Sequence, residues 1–354
     1  GNANYYASVI ADGYDFRNVL VKTREGRPIK IERNKEALSF GECNARVMAS
    51  ILSLYDSDRL QGPMLKGEDV SWDDFNQQIM DKLTVLSDQE KTVILLTQTL
   101  ASPTTQKIID DFILKYPNVK HVIYDNISSS ETLDAFESLF GIRAFVDYDF
   151  SKAETIVSID ADFLGDWQGG GYEGGYTKGR IPKGKKGKSS MSHHIQFESN
   201  MTLTGANADH RIPCNQNVLK KIVVEIYSQI LGIKKAMLPG LNDLDDHLKN
   251  RISLTLQRLK KSKSKAVIVS GIENVEIQKM IIEINQFLKS SAMDIEQPRL
   301  IRKGKNALIK NVVDGIIDNS IHGIIAIGVD PGYTLPNGDK FVKALEKLDL
   351  SVVF

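Results

Sequence analysis

The chain is poor in cysteine, balanced in charge and without any long apolar run. Cys43 and Cys214 are the two cysteines among 354 residues. So distant a pair makes no local thiolate cage for zinc or an iron–sulfur cluster, and it defines no redox compartment. Lys plus Arg equals Asp plus Glu at 45 each, so no overall field favours nucleic acid or an anionic membrane. No stretch approaches the ~20 apolar residues of a membrane span, and no direct span is expected. Neither G-x-S-x-G nor H-E-x-x-H occurs, which removes two common catalytic fingerprints. The chain opens at Gly1 without an initiator Met or a signal peptide and stops at 351–354 inside an apparent strand. It reads as an excised piece of a longer protein.

With 42% hydrophobic and 25% charged residues, the composition is that of a soluble globular protein, and the length implies two or three domains. Residues 5–33 alternate and turn back at Arg24-Glu25-Gly26-Arg27, a hairpin signal. Ser71-Trp72-Asp73-Asp74 looks like a capping box for a helix to about residue 86. From there strands and helices alternate. Strands are expected at 92–97, 120–124, 155–159, 266–270, 323–327 and 350–354. Helices are expected at 104–115 (Ser102 as cap, Pro103 first), 131–140, 216–231 ending at Gly232, 243–260, 274–289, 305–318 and 339–348. That rhythm predicts a doubly wound α/β fold with mostly parallel sheets, entered through an N-terminal β-hairpin region. Segment 168–214 breaks the rhythm and reads as a long excursion.

Ligands in such sheets bind beyond the carboxyl ends of the strands, which directs attention to Asp160-Ala161-Asp162 after the run 155–159. Ile156-Val157-Ser158-Ile159-Asp160-Ala161-Asp162 parallels Ile324-Ile325-Ala326-Ile327-Gly328-Val329-Asp330. A pyrophosphate at either turn would want bare backbone and donors rather than acids. Whether or not Asp160 and Asp330 simply cap the next element, they disfavour an anionic cofactor. Residues 169–190 hold Lys178, Arg180, Lys183, Lys185, Lys186 and Lys188. Gly187-Lys188-Ser189 resembles the end of a P-loop, but Pro182 stands where its first glycine belongs. A solvated loop, or one docked on a partner subunit, is favoured over phosphate binding. His193, His194 and His210 lack the spacing of a metal ligand set, and polar packing is the better reading.

Longer matches now matter. Leu20-Val21-Lys22-Thr23-Arg24-Glu25-Gly26-Arg27-Pro28-Ile29-Lys30-Ile31-Glu32, Cys43-Asn44-Ala45-Arg46 followed by Ser53-Leu54-Tyr55-Asp56-Ser57-Asp58-Arg59-Leu60, Val70-Ser71-Trp72-Asp73-Asp74 and Gly328-Val329-Asp330-Pro331-Gly332-Tyr333 resemble segments of the molybdopterin oxidoreductases of the dimethyl sulfoxide reductase and formate dehydrogenase type. The departures fall where that family does its chemistry. Cys43 is a lone remnant of a four-cysteine cluster motif, and Ala45 replaces the lysine thought to link cluster and pterin. Asp160-Ala161-Asp162 replaces one glycine turn, and Gly328 alone survives of the other. After Ala208-Asp209 and Pro213, Asn215-Gln216-Asn217 stands where the family has proline-glycine-threonine-aspartate. The molybdenum-ligand loop, somewhere in Ser128–Thr132, has no cysteine. Ala161-Asp162-Phe163-Leu164-Gly165-Asp166-Trp167 and Met201-Thr202-Leu203-Thr204-Gly205-Ala206-Asn207-Ala208-Asp209 narrow the resemblance to one branch. It is that of the large iron–sulfur subunits of bacterial alternative complex III.

The resemblance implies residues 1–62 as an N-terminal hairpin and helix region. It implies 63–128 plus 262–354 as a first α/β domain, and 129–261 as an inserted second one with a basic loop at 168–192. No catalytic residue, metal or cofactor is expected in this chain, and Asp160, Asp162, Asp209, Gly328 and Asp330 would be vestigial cofactor positions. Iron–sulfur clusters would belong to a ferredoxin-like C-terminal part of the same polypeptide. The expected role is architectural, within a quinol-oxidising respiratory complex on the periplasmic side of the bacterial inner membrane. Lys183, Lys185, Lys186 and Lys188 would contact another subunit. The alternatives are an active enzyme using molybdopterin dinucleotide on a small oxyanion or sulfoxide, and, more weakly, a nucleotide-binding module using the basic loop.

Overall fold

The computed structural model describes residues 2–12, 15–182, 184, 190–233 and 244–354. Two compact units divide the chain, Gly1–Ser128 with Ile301–Phe354 and Ser129–Leu300. The first unit opens with β1 (Asn4–Ala11), β2 (Phe16–Arg24) and β3 (Arg27–Arg33), an antiparallel sheet. Glu25 and Gly26 join β2 to β3 with φ of 50° and 78°, the left-handed pair that lets a two-residue turn follow the strand twist. Then come α1 (Ala45–Ala49), a small ladder of β4 (Met64–Leu65) and β5 (Glu68–Asp69), α2 (Trp72–Asp88), β6 (Val93–Thr97), α3 (Pro103–Lys115) and β7 (Val119–Ile123). The second unit holds α4 (Ser130–Phe140), β8 (Phe145–Tyr148), β9 (Thr155–Ile159), α5 (Glu173–Arg180), β10 (His193–Glu198), α6 (Leu203–Ala206) and β11 (His210–Pro213). It continues with α7 (Gln216–Leu231), α8 (Asp246–Ser262), β12 (Ala266–Ser270), α9 (Val275–Leu288) and β13 (Met293–Arg299). The first unit closes with α10 (Asn306–Ile317), β14 (Gly323–Ile327), α11 (Pro331–Thr334), α12 (Gly338–Leu345) and β15 (Leu350–Val353).

The expected caps form. The Ser71 hydroxyl accepts from the Asp74 amide at 3.1 Å and donates to the Asp74 carboxylate at 2.7 Å. Ser102 accepts from the Thr105 amide with Pro103 in the first turn, and Gly232 ends α7 at φ 71°. Each unit then builds a wholly parallel sheet, β15-β14-β6-β7 in the first and β11-β10-β9-β12 in the second. Both faces of each sheet pack against apolar clusters. That is why β9 reads as an unbroken apolar run: Ile156, Val157 and Ile159 are fully buried, each worth roughly 2 kcal/mol of burial. The doubly wound α/β fold is present as expected.

Two expectations change. Residues 262–300, assigned from sequence to the first domain, lie in the second unit. β12 pairs with β9, Ala266 opposite Thr155, and β13 pairs antiparallel with β8, so the return comes at Ile301. Segment 168–214 is not a mere excursion, since it supplies β10 and β11 to the second sheet. Its strand β10 hides from a hydrophobicity reading because one face is polar yet buried, with His194, Gln196 and Glu198 all at 0% exposure.

Candidate functional site

In the second sheet β9 is followed by β10 on one side, while β12 lies on its other side. The loops leaving β9 and β12 therefore part at a topological switch point, where doubly wound proteins hold ligands. Here the chain itself fills that point. Asp160 takes a left-handed φ of 60°, uncommon for a residue with a side chain. Its carboxylate accepts from Gln216 Nε2 at 2.8 Å, and Gln216 also donates to Ser199. Asp162 accepts from the Thr204 amide and hydroxyl at 3.1 and 2.6 Å. Trp167 reaches across, its indole N–H donating to the Ser270 carbonyl at 3.1 Å. Gly271 donates its amide to Ile159, and a Cβ on it would stand 2.0 Å from the Asp160 carbonyl oxygen. The aspartates thus tie the β9 loop to α6 and α7 rather than capping a following helix.

The first unit's switch point, between β6 and β14, is different. Gly328 is left-handed at φ 66° and exposes bare backbone, its amide donating to the Phe354 carbonyl at 3.1 Å. Asp330 does cap: its carboxylate accepts from the Tyr333 amide at 3.1 Å. Nearby, Asp125 is an acid that sequence reasoning passed over. It is buried and accepts from the Thr99 amide and hydroxyl at 2.8 and 2.7 Å and from the Gly304 amide at 2.9 Å.

Asp209 lies elsewhere, before the first residue of β11 and so at the amino edge of the second sheet. Arg180 grips it with two bonds of 2.6 and 2.9 Å and the His194 amide donates to it, which together hold its carboxyl down at about 2 against the opposing effect of burial. The structure therefore does not bring Asp209 together with Asp160 and Asp162. Cys43 sits by the small apolar cluster of the N-terminal sheet, and burial raises its thiol pKa. Lys183, Lys185, Lys186 and Lys188 lie outside the described residues. Of their neighbours, Lys178 and Arg180 are on α5.

The polar face of β10 forms a directed ladder. Tyr176 OH meets His194 Nδ1 at 3.2 Å, His194 Nε2 meets Gln196 Oε1 at 3.1 Å, and Gln196 Nε2 donates to Glu198 at 3.2 Å. A neutral imidazole protonated on Nε2 suits the Gln196 end, while the one Tyr176 hydroxyl proton is divided between His194 Nδ1 and the Asn207 carbonyl at 3.0 Å, an assignment made from the network. Burial agrees, pushing the His194 pKa down to about 4. At the carboxyl end Glu198, also fully buried, takes Arg211 Nε at 2.5 Å and the Thr202 hydroxyl at 2.6 Å. Among the described residues no group of three His, Cys, Asp or Glu is placed to hold a metal ion.

The most perturbed acid at the carboxyl edge is Glu273, in the loop after β12. Burial of its carboxyl, then the charge and hydrogen bond of Glu131 at the start of α4, raise its pKa to about 7. The Thr132 hydroxyl stands 3.4 and 3.5 Å from its two oxygens. The residue as a whole nevertheless keeps a solvent-exposed face, so its energetic effect is discounted. A folded pKa above the unfolded one means stability is fully present below about 4.5 and is lost as pH rises through about 7. Glu273→Gln is therefore expected to stabilise the chain above pH 7 by about 1 kcal/mol and to leave it little changed near pH 4.5. Thermal unfolding across that window checks this, and parallel profiles for the two proteins would rule out the shared proton.

No family profile and no curated protein matches the chain. Solved structures do. Acetylene hydratase from Pelobacter acetylenicus aligns over 98% of this chain and 60% of its own, with a TM-score of 0.66 and 11% identity. The formyltransferase/hydrolase complex from Methylorubrum extorquens, solved with methylofuran, aligns over 82% of this chain and 81% of its own, with a TM-score of 0.51 and 12% identity. The chain thus spans about 60% of the length of acetylene hydratase. What is shared at such identity is the fold, an α/β fold with parallel sheets like that of this dimethyl sulfoxide reductase-type neighbour. No helix among the described residues is long and apolar enough to cross a membrane.

Proposed function

We propose that the chain is a molybdopterin-oxidoreductase-like domain without a catalytic centre of its own. Its role is architectural, in a membrane-associated, quinol-oxidising electron-transfer complex of the alternative complex III kind, at the periplasmic side of the bacterial inner membrane. The filled switch point of the second unit carries this reading. A dinucleotide's pyrophosphate needs N–H donors aimed into space that side chains leave free. Between β9 and β12 it would meet the Trp167 bridge to Ser270 and Gly271 lying against the Asp160 carbonyl, and at the end of β9 the Asp160 and Asp162 carboxylates already bonded to α7 and α6. These residues do not fit the group, and no chemical step is assigned to it. The Gly328 turn of the first unit, with bare backbone, is compatible with half of such a site at most. Cys43 alone cannot supply the cluster ligands of the family's N-terminal motif, so the iron–sulfur clusters belong to a ferredoxin-like part of the polypeptide. The partners are that part and the neighbouring subunits.

The decisive test is the metal and pterin content of the chain, produced in a host that matures molybdenum cofactor beside an active molybdoenzyme as control. Neither molybdenum, tungsten nor pterin is expected while the control is loaded. Near-stoichiometric metal with pterin fluorescence would overturn the proposal. It would favour the second reading, an active molybdopterin enzyme acting on a small oxyanion or sulfoxide. One observation speaks for that reading: Glu273 is poised to exchange a proton near neutral pH at the carboxyl edge of the sheet.

A further inference from the structure

Away from the switch point, the last residues of α7, α8 and α9 surround one cavity of about 450 Å³, a size that admits a small molecule or an inserted side chain. Its floor is apolar. Ile230 is 6% exposed, and Leu288 packs on the second unit's core. At the rim Phe287 is 59% exposed, an aromatic ring left in water beside Lys260, Lys263 and Lys289. Among the described residues these three lysines form no ion pair, whereas Lys265, two positions beyond Lys263, is held by Glu154 at 2.6 Å.

The backbone adds a second argument. Lys263 has φ 48° and ψ −120°, and Lys289 has φ 53° and ψ 46°. Both end a helix at positive φ, Lys289 in the left-handed helical region and Lys263 outside it, where glycine is favoured and a β-carbon is strained. The helix dipole accounts for a lysine such as Lys260 in a last turn, but any position in that turn would satisfy it. It gives no reason for lysine at two strained positions lining one cavity. Residues held in costly backbone conformations mark functional surfaces when the surroundings impose them.

We propose that this cavity docks an acidic segment of a partner protein. The segment's carboxylates meet Lys260, Lys263 and Lys289, and one apolar anchor side chain enters against Phe287, Leu288 and Ile230. Charge complementarity selects the acidic partner, and the concave apolar floor selects an inserted anchor over a flat membrane surface. The inference stands on these residues alone and holds under either reading of the function.

The test uses the whole chain and a fluorescent peptide of aspartates and glutamates flanking one phenylalanine, followed by anisotropy at low and high salt. Saturable binding that weakens with salt is expected, with about a tenfold loss in Lys263→Gly/Lys289→Gly. Glycine suits both backbones, so the melting temperature of that variant should hold or rise while binding falls. Lys260→Gln/Lys289→Gln removes charge without changing the backbone demand, and it serves as the second reading should the glycine pair melt lower. No saturable binding to the wild-type chain would overturn the proposal. So would binding by both variants as tight as that of the wild-type chain, or tighter binding to phosphatidylglycerol vesicles than to the peptide.

Discussion

Gly271→Ala is expected to lower the unfolding free energy by about 3 kcal/mol, the upper end of the usual cost of overpacking. The new methyl would stand 2.0 Å from the Asp160 carbonyl oxygen, 2.8 Å from its carbon and 3.2 Å from the Ala161 Cα. All of these are backbone atoms, so no flexible side chain can swing away. Ser270 pairs with Ile159, and the Gly271 amide donates to the Ile159 carbonyl at 2.9 Å. Relief therefore demands that the ends of β9 and β12 separate. That motion stretches the Trp167–Ser270 bond, which spans the same gap at 3.1 Å. Gly26→Ala is the natural control. Nothing lies within 4 Å of a Cβ there, and the cost comes only from its φ of +78°, about 1 kcal/mol. Denaturant unfolding of both variants separates crowding from conformation.

This comparison also bears on function. A cleft that opens to admit a dinucleotide would absorb the extra methyl by the same opening, and Gly271→Ala would then cost no more than Gly26→Ala. A large gap between them means that the two loops close on each other as part of the fold. The proposed architectural role requires the large gap.

The same loops show what a sequence can and cannot disclose. Buried parallel strands such as β6, β9, β12 and β14 are legible because both faces demand apolar residues. Caps at Ser71 and Ser102 and the turn at Glu25-Gly26 are legible because they rest on neighbouring residues. β10 escaped because its buried face is satisfied by hydrogen bonds rather than by apolar contact, and the alternation His194-Ile195-Gln196-Phe197-Glu198 was the available signal. The return to the first unit at Ile301 rather than at 262 depends on which strand β12 pairs with, a long-range choice that no local pattern encodes. At the site, the strand end at Asp160 was found correctly. What the acids do there was not legible, since Gln216, Thr204, Ser270 and Gly271 come from four later segments. Asp209 shows the converse. A motif position beside Ala208 looked like part of the same site, yet it lies at the amino edge, held by Arg180.

Glu198→Ala is expected to cost about 3–5 kcal/mol, the range for removing one partner of a buried ion pair. Glu198 is fully buried, and its oxygens take Arg211 at 2.5 Å, the Thr202 hydroxyl at 2.6 Å and Gln196 at 3.2 Å. Alanine would strand these donors together with the Thr202 amide, which donates at 3.3 Å. The Arg211 side chain keeps 22% exposure, so water can recover part of its solvation, which places the expected value near the lower end. Gln196 has no such recourse at 0% exposure. Its freed amide would turn, and the bond to His194 Nε2 would be lost with it. Loss should therefore spread along β10, and hydrogen exchange should quicken at 194–198 before it does in β12 on the far side of β9. Removing Arg211 as well eliminates the stranded cation, so Glu198→Ala/Arg211→Ala should cost less than the sum of the two single variants by at least about 1 kcal/mol. Strict additivity would mean that the pair is solvated independently, and that the polar face of β10 is not the closed network its distances describe. A coupled result instead makes β10 a strand held by polar satisfaction on one face and by Ile195 and Phe197 on the other.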